Sequence, residues 1–371
     1  MTWQSSVAIA ALIVALWSLV LTIRTRRFVH AKLRPRPKGE GLTAVEHGPI
    51  AIIVNPTKEE AAEIRAIVEE IADDAGLGAR LWLETTEEDP GAGQAKQAME
   101  AGATTVIAAG GDGTVRQVAQ VLAGTDIALG IIPLGTGNLL ARNLDLPLDS
   151  LRGMVMTALT GAAAPIDIGF LSAAELTAAE RQVVAEQINV PPASVPSGEH
   201  AFAVIAGLGF DANMVGDADS ALKSKVGWMA YVASAMKNMW GQRIKATVHA
   251  GGGEGFELEA RSIMFANCGR LPGGVVLAPE ADPKTGWLEL VVLDTTGGLV
   301  GWADLLRRMS LAGVGVTKDA LPEAGKIDLR RIRKVKVCCE QPQRIQVDGD
   351  VLGYASEVTA RVEPGGLLVR R

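Results

Sequence analysis

The apolar residues of this chain follow three successive patterns. From Trp3 to Ile23 no charged residue interrupts a nearly continuous apolar run. At ~1.5 Å rise per residue, about 20 such residues cross the ~30 Å hydrocarbon core of a bilayer, so the run predicts a transmembrane helix over residues 1–24. No Lys or Arg precedes it, whereas Arg24, Arg26, Arg27, Lys32, Arg34, Arg36 and Lys38 follow. That order is the reverse of a cleaved signal peptide. It predicts a single-pass anchor with the N-terminus outside and the remainder in the cytoplasm. Residues 25–48 read as a basic linker lying on the anionic inner membrane surface.

From Pro49 the pattern alternates between short apolar runs and helical periodicity. The predicted order is strand Ile50 to Val54, helix Glu59 to Ala75, strand Ala79 to Glu84 and a helix ending near Ala101. Strand Thr104 to Ile107, helix Val115 to Ala123 and strand Ile127 to Ile132 follow. In the first helix Ile64, Ile67, Val68 and Ile71 recur at the 3–4 spacing of one buried face. The alternation predicts an α/β domain over residues 49–150, with a parallel sheet and helices on both faces.

Past Pro147 the pattern changes again. A connector helix, Leu151 to Thr160, leads to strand Pro165 to Gly169 and a hydrophilic insert over residues 171–200. Strands then dominate: Ala201 to Ala206, Ile244 to Ala250, Leu258 to Asn267, Trp287 to Leu293, Lys334 to Glu340, Arg344 to Val347 and Thr359 to Val362. Helices are expected over residues 225–240 and 299–311, and Gly251 to Gly253 marks a hairpin turn. Residues 151–371 therefore read as a β-rich, sandwich-like second domain.

Ligands of parallel sheets bind beyond the carboxyl ends of the strands. Four polar or glycine-rich turns fall at that edge: Asn55-Pro56-Thr57, Thr85-Thr86, Gly110-Gly111-Asp112-Gly113-Thr114 and Gly135-Thr136-Gly137-Asn138. The third joins a strand to a helix start. There, unpaired amides and the helix dipole attract an anion, and glycines let a phosphate reach the backbone. An aspartate in such a loop makes chemical sense if it holds a metal ion or accepts a proton.

Composition excludes some classes. A net charge of −6 over 371 residues does not suit a nucleic-acid binder. The three cysteines are odd in number, and Cys338 and Cys339 are adjacent, which argues against a disulfide framework.

The ordered set of motifs carries a resemblance. Asn55-Pro56-Thr57, Gly110 to Thr114, Pro133 to Asn138, Gly207 to Ala212, the stretch Asn267 to Pro279 and Val347-Asp348-Gly349-Asp350 together resemble the diacylglycerol kinase catalytic family. That family includes bacterial lipid kinases and the sphingosine and ceramide kinases. The resemblance implies a first domain like those of phosphofructokinases and NAD kinases, ATP and Mg²⁺ as cofactors, and a membrane lipid as acceptor. The amides of Gly111, Gly113 and Thr114 would then cradle phosphate, with Asp112 on Mg²⁺. Asn55, Pro56, Thr57, Thr86, Gly110, Gly135, Thr136 and Asn138 would complete the nucleotide site, and Asp211 would lie near the acceptor.

The family's base lies in a late Asp-Gly-Glu motif, read here as Asp348-Gly349-Asp350, one methylene shorter. Asp350 is read as the base and Asp348 as its orienting or metal-linked partner. The reverse assignment and a plain Asp-Gly turn are the alternatives. Where family members carry a structural Mg²⁺ on an Asp before a Gly, this chain has Thr285, so that metal is expected to be absent or weak. The runner-up functions are a sphingoid-base, ceramide or glycolipid kinase, an NAD kinase, and a catalytically inactive binding protein. The sequence carries no indication of oligomeric state.

Overall fold

Five consecutive buried residues, Ile50–Val54, form β1 at the heart of a parallel sheet. β2 (Arg80–Glu84) and β3 (Thr105–Gly110) flank it, and β4 (Ala128–Pro133) pairs with β3, all in parallel. Helices α1 (Ala61–Asp74), α2 (Ala92–Glu100) and α3 (Asp112–Leu122) alternate with these strands. On one face Ile64, Val68 and Ile71 of α1 pack with Val155, Ala158 and Leu159 against Ile50, Ile52 and Ile107. On the other, Ala95 and Ala98 of α2 and Val115, Val118 and Leu122 of α3 cover Ala51, Ile53 and Val106. Each fully buried aliphatic side chain of this size contributes about 1.5–3 kcal/mol. The α/β layering read from the periodicity is therefore present. The computed structural model describes residues 48–188, 192–209, 243–251, 254–271, 275–295 and 325–371.

The chain continues through α4 (Leu139–Asn143), α5 (Leu151–Thr160), β5 (Ala163–Ala173) and α6 (Ala178–Ile188). Ser150 caps α5 by accepting from the Gly153 amide at 2.9 Å. β6 (His200–Phe202), β7 (Ile205–Gly209), β8 (Ile244–Ala250), β9 (Phe256–Ala260) and β10 (Ser262–Ala266) begin the β-rich domain. β11 (Leu288–Thr295), β12 (Gly325–Ile332), β13 (Lys334–Val347) and β14 (Asp350–Arg370) complete it. Its core is a separate cluster that includes Phe202, Leu208, Val248, Phe265, Val337 and Ile345.

The described strands join one 14-stranded sheet whose main path is β12-β11-β10-β7-β13-β14-β4-β3-β1-β2. The continuity comes from β14. It begins antiparallel to β13, bulges between Glu363 and Leu367, and ends parallel to β4 through Leu368 and Val369. The C-terminal residues thus complete the first domain's sheet, which a single cut after residue 150 does not capture. Where Lys334 to Val347 read as two strands, a bulge between Cys338 and Gln343 keeps β13 continuous. Where Leu258 to Asn267 read as one strand, Arg261 forms a corner, because β9 pairs with β8 while β10 pairs with β7 and β11. Strand β12 had no sequence expectation.

Among the described residues no helix is long and apolar enough to cross a membrane. The predicted anchor, 1–24, and all of the basic linker, 25–48, except Gly48 lie outside the described residues, as do the helices expected over 225–240 and 299–311.

Candidate functional site

Parallel register brings the four predicted turns to one edge. Val54 pairs with Glu84 and with Ala109, and Gly110 pairs with Pro133. The segments that follow these residues therefore emerge side by side. Asn55 and Thr57 form a local turn in which the Asn55 side-chain oxygen accepts from the Thr57 amide at 3.0 Å and its hydroxyl at 2.7 Å. Pro56 and Thr57 are exposed on it. Thr86 is likewise exposed, and its hydroxyl accepts from the Asp89 amide at 3.0 Å. Asp89 in turn accepts from the amides of Gly91 and Gly93, holding the start of α2.

Gly110 ends β3, Gly111 stands extended at the N-cap, and Asp112, Gly113 and Thr114 form the first turn of α3. First-turn amides have no partner within their own helix, so this end is open to an anion. A side chain at Gly110 would place its Cβ 2.7 Å from the Thr114 hydroxyl, so only glycine fits there.

Asp112 does something the sequence reading did not anticipate. Its Oδ2 accepts from the Asn138 amide at 2.9 Å and its Oδ1 from the Leu139 amide at 2.7 Å. The carboxylate caps α4 and fastens the Gly110 to Thr114 loop to the Gly135 to Asn138 loop. Gly135 and Gly137 make the approach possible. A Cβ at Gly137 would lie 2.6 Å from Asp112 Oδ2, and one at Gly135 would lie 3.1 Å from the Gly111 Cα. Asn138 adopts a left-handed conformation, φ 48°, and its side chain accepts from the Gly135 amide at 3.0 Å. Thr136 is left exposed at the tip of this loop. Burial raises the Asp112 carboxyl above its ordinary range, against the pull of the Leu139 and Asn138 amides.

The late aspartates separate sharply. Val347 and Asp350 pair across a two-residue turn with Asp348 at φ 44° and Gly349 at φ 87°. Two positive φ values in succession are the requirement of a tight hairpin, which Asp-Gly meets. The plain-turn reading of this tripeptide is thus correct as geometry, but the two carboxylates have different surroundings. Asp348 is 9% exposed. It accepts from three successive amides, Ala203 at 2.7 Å, Val204 at 2.9 Å and Ile205 at 2.8 Å. Successive amides of an extended strand point in opposite directions. Their convergence on Asp348 is the reason Ala201 to Ala206 breaks into β6 and β7. Burial pushes the Asp348 carboxyl up to about 6, while the three amides and nearby Arg116 pull it down.

Asp350 faces outward, its side chain 48% exposed. Its Oδ2 accepts from Arg116 Nε at 2.9 Å and Nη2 at 2.7 Å. Arg116 belongs to α3, one turn beyond Asp112. An ion pair thus joins the helix of the glycine loop to the hairpin of the β-rich domain. Arg116 stands in none of the motifs singled out from the sequence. The available signal was its i+4 spacing from Asp112, which places both on one helix face.

Two further ties were also missed. Asn143 of α4 donates to the Arg270 carbonyl at 2.9 Å and accepts from the Arg270 amide at 3.0 Å. Buried Asp167 accepts from the Gly286 amide at 2.6 Å and the Gly365 amide at 2.9 Å. The latter pins the segment around Thr285, whose hydroxyl donates to the Asp282 carbonyl at 3.0 Å. Asp211 lies outside the described residues.

Residues 49–171 match the diacylglycerol kinase catalytic domain family, and residues 203–371 match the YegS C-terminal NAD kinase beta sandwich-like domain. A probable lipid kinase YegS-like from Xanthomonas campestris is 27% identical over 72% of this chain and 78% of its own length. A diacylglycerol kinase from Bacillus subtilis is 27% identical over 67% of this chain and 71% of its own. An uncharacterized protein of Synechocystis is 29% identical over 68% of this chain, which spans about half (51%) of that relative's length. The crystal structure of a diacylglycerol kinase from Bacillus anthracis shares the fold, with a TM-score of 0.58 at 17% identity over 88% of this chain and 98% of that one. With both of its halves matched in order and the glycine loops and hairpin in place, the chain belongs to the diacylglycerol kinase catalytic-domain family.

Proposed function

We propose that this chain transfers the γ-phosphate of ATP to the hydroxyl of diacylglycerol or a closely related glycerolipid. That it is a lipid kinase acting on an alcohol follows from its family; the particular lipid and the residue roles are the proposal. One observation carries it: the Arg116–Asp350 pair places an outward-facing carboxylate of the β-rich domain beside the helix of the glycine loop.

Phosphoryl transfer needs positioning and charge neutralisation more than covalent help from the protein. The open amides of Gly113 and Thr114 would hold phosphate oxygens, with Asn55, Thr57, Thr86 and Thr136 around the nucleotide. Asp112 would hold a magnesium ion, because each of its oxygens keeps a lone pair beyond the amide it accepts. Such an ion, when bound, neutralises charge on the phosphates. Asp350 is the base and takes the proton of the lipid hydroxyl within hydrogen-bond reach. Asp348 acts by holding the hairpin to the Ala203 to Ile205 amides, so the base stands on a rigid turn.

The apolar run at Trp3 to Ile23 supports delivery from the membrane. An anchor followed by a basic linker would hold the active site near a bilayer-dissolved acceptor and raise its effective concentration. The test offers labelled ATP to the full chain in vesicles of mixed lipid extract and identifies the product by mass. A labelled phosphatidic acid is expected. Label on a sphingoid lipid instead would refute the glycerolipid assignment.

A further inference from the structure

We propose that Arg116 is the positioning residue for the acceptor-side base, aiming Asp350 from the helix that carries the nucleotide loop. This rests on the kinase reading above.

The asymmetry of the ion pair is the evidence. The Arg116 side chain is 7% exposed and that of Asp350 48%. Nε and Nη2 both donate to the same oxygen, Oδ2, at 2.9 and 2.7 Å. A clamp serving only to hold the two domains together would gain most from a two-oxygen fork. Here two donors converge on one oxygen, hold Oδ2 in place and leave Oδ1 for another partner. Arg116 itself is fixed by burial in α3 between Val115 and Val118, which pack into the α/β core. The hairpin is fixed from the other side by Asp348 and its three amides. Asp350 thus has its backbone set by one domain and its carboxylate set by the other.

The lipid hydroxyl gives its proton to Asp350 Oδ1 as its oxygen bonds the γ-phosphorus. The bond between that phosphorus and the β,γ-bridging oxygen breaks, and ADP leaves with the electron pair. The protonated Asp350 returns its proton to solvent. Arg116 touches no reacting atom.

Removing Arg116 leaves Asp350 solvated, so the fold should survive the change. The experiment measures kcat, KM for ATP and melting temperature of the full chain in phosphatidylcholine vesicles carrying diacylglycerol. Arg116→Met should lower kcat by about 10²-fold, comparable with losing positioned base catalysis, at unchanged KM for ATP. Arg116→Met combined with Asp350→Asn should be no slower than Asp350→Asn alone, since the two act as a unit. Should Arg116→Met fail to fold, Arg116→Lys carries the test. An ammonium does not reproduce the planar pair of donors, and a loss of about tenfold in kcat is expected. Wild-type kcat in the folded variant, or losses that multiply in the double variant, would overturn the proposal alone. A wild-type chain that labels no lipid would overturn the kinase reading and this proposal with it.

Discussion

Asp112→Asn tests the joint between the two glycine loops. In the native arrangement Oδ2 and Oδ1 each accept one backbone amide, from Asn138 and Leu139. Asparagine keeps the shape but turns one oxygen into a donor. Whichever way the amide flips, one of the two N–H groups then faces another N–H. The hydrogen bond lost is to a charged acceptor, worth roughly 1.5–3 kcal/mol, and the surviving one weakens to a neutral bond. The strands beneath, β3 and β4, are buried throughout and keep their own ladder, so the loss falls on the loops. If about 1.4–2.8 kcal/mol of it reaches the nucleotide, Kd for ATP rises about 10- to 100-fold.

Titration with a fluorescent ATP analogue, run with and without Mg²⁺, reads this directly. A loop-joining role predicts weaker binding in both conditions, whereas a role confined to holding metal predicts it only with Mg²⁺. Gly137→Ala approaches the joint from the other side, since the new Cβ would lie 2.6 Å from Asp112 Oδ2. It should weaken ATP in the same sense. ATP binding within twofold of wild type for both variants would refute the reasoning.

Other predictions concern the hairpin and the N-terminal segment. Asp348→Ala strands three amides and puts alanine at φ 44°, so it should destabilise the chain by roughly 4 kcal/mol or more. An unchanged denaturation midpoint would contradict this. The pH dependence has a definite sign. With a folded pKa of about 6 for Asp348 and an unfolded value of about 3.9, the folded state binds the extra proton between those limits. This group therefore stabilises the fold as pH falls from 7 towards 4, by up to ~3 kcal/mol. The stability gap between wild type and Asp348→Asn should widen across that window; a constant gap would refute it. Removing residues 1–38 should release the protein from membranes while ATP binding persists. Continued sedimentation with vesicles would point to a different membrane contact.

The sequence and the structure agree where local rules decide. Ile64, Val68 and Ile71 announced a buried helix face, and the β–α alternation placed four turns at one sheet edge because parallel strands all end there. Asp348-Gly349 was legible as a turn for the same reason: its φ requirements are local. What escaped depends on residues far apart in the chain. Ala203 and Val204 leave the strand because a carboxylate 145 and 144 positions away collects their amides. The capping role of Asp112 was hidden because the Asn138 and Leu139 amides it accepts lie 26 and 27 positions away. Arg116 looked like one more helix cation, and only its contact with Asp350, 234 positions away, marks it. The course of β14 was hidden because its bulge and change of partner depend on β4 and β5, not on its own alternation.

The proposed base, Asp350, would accept the proton of a lipid hydroxyl from the hairpin beside the helix of the glycine loop. The most direct measurement compares wild type and Asp350→Asn in a single-turnover assay, with labelled ATP and diacylglycerol vesicles. Wild type is expected to yield labelled phosphatidic acid. The variant is expected to lose at least about 10²-fold in transfer rate, with ATP binding retained. Transfer by Asp350→Asn at the wild-type rate would contradict that role for Asp350.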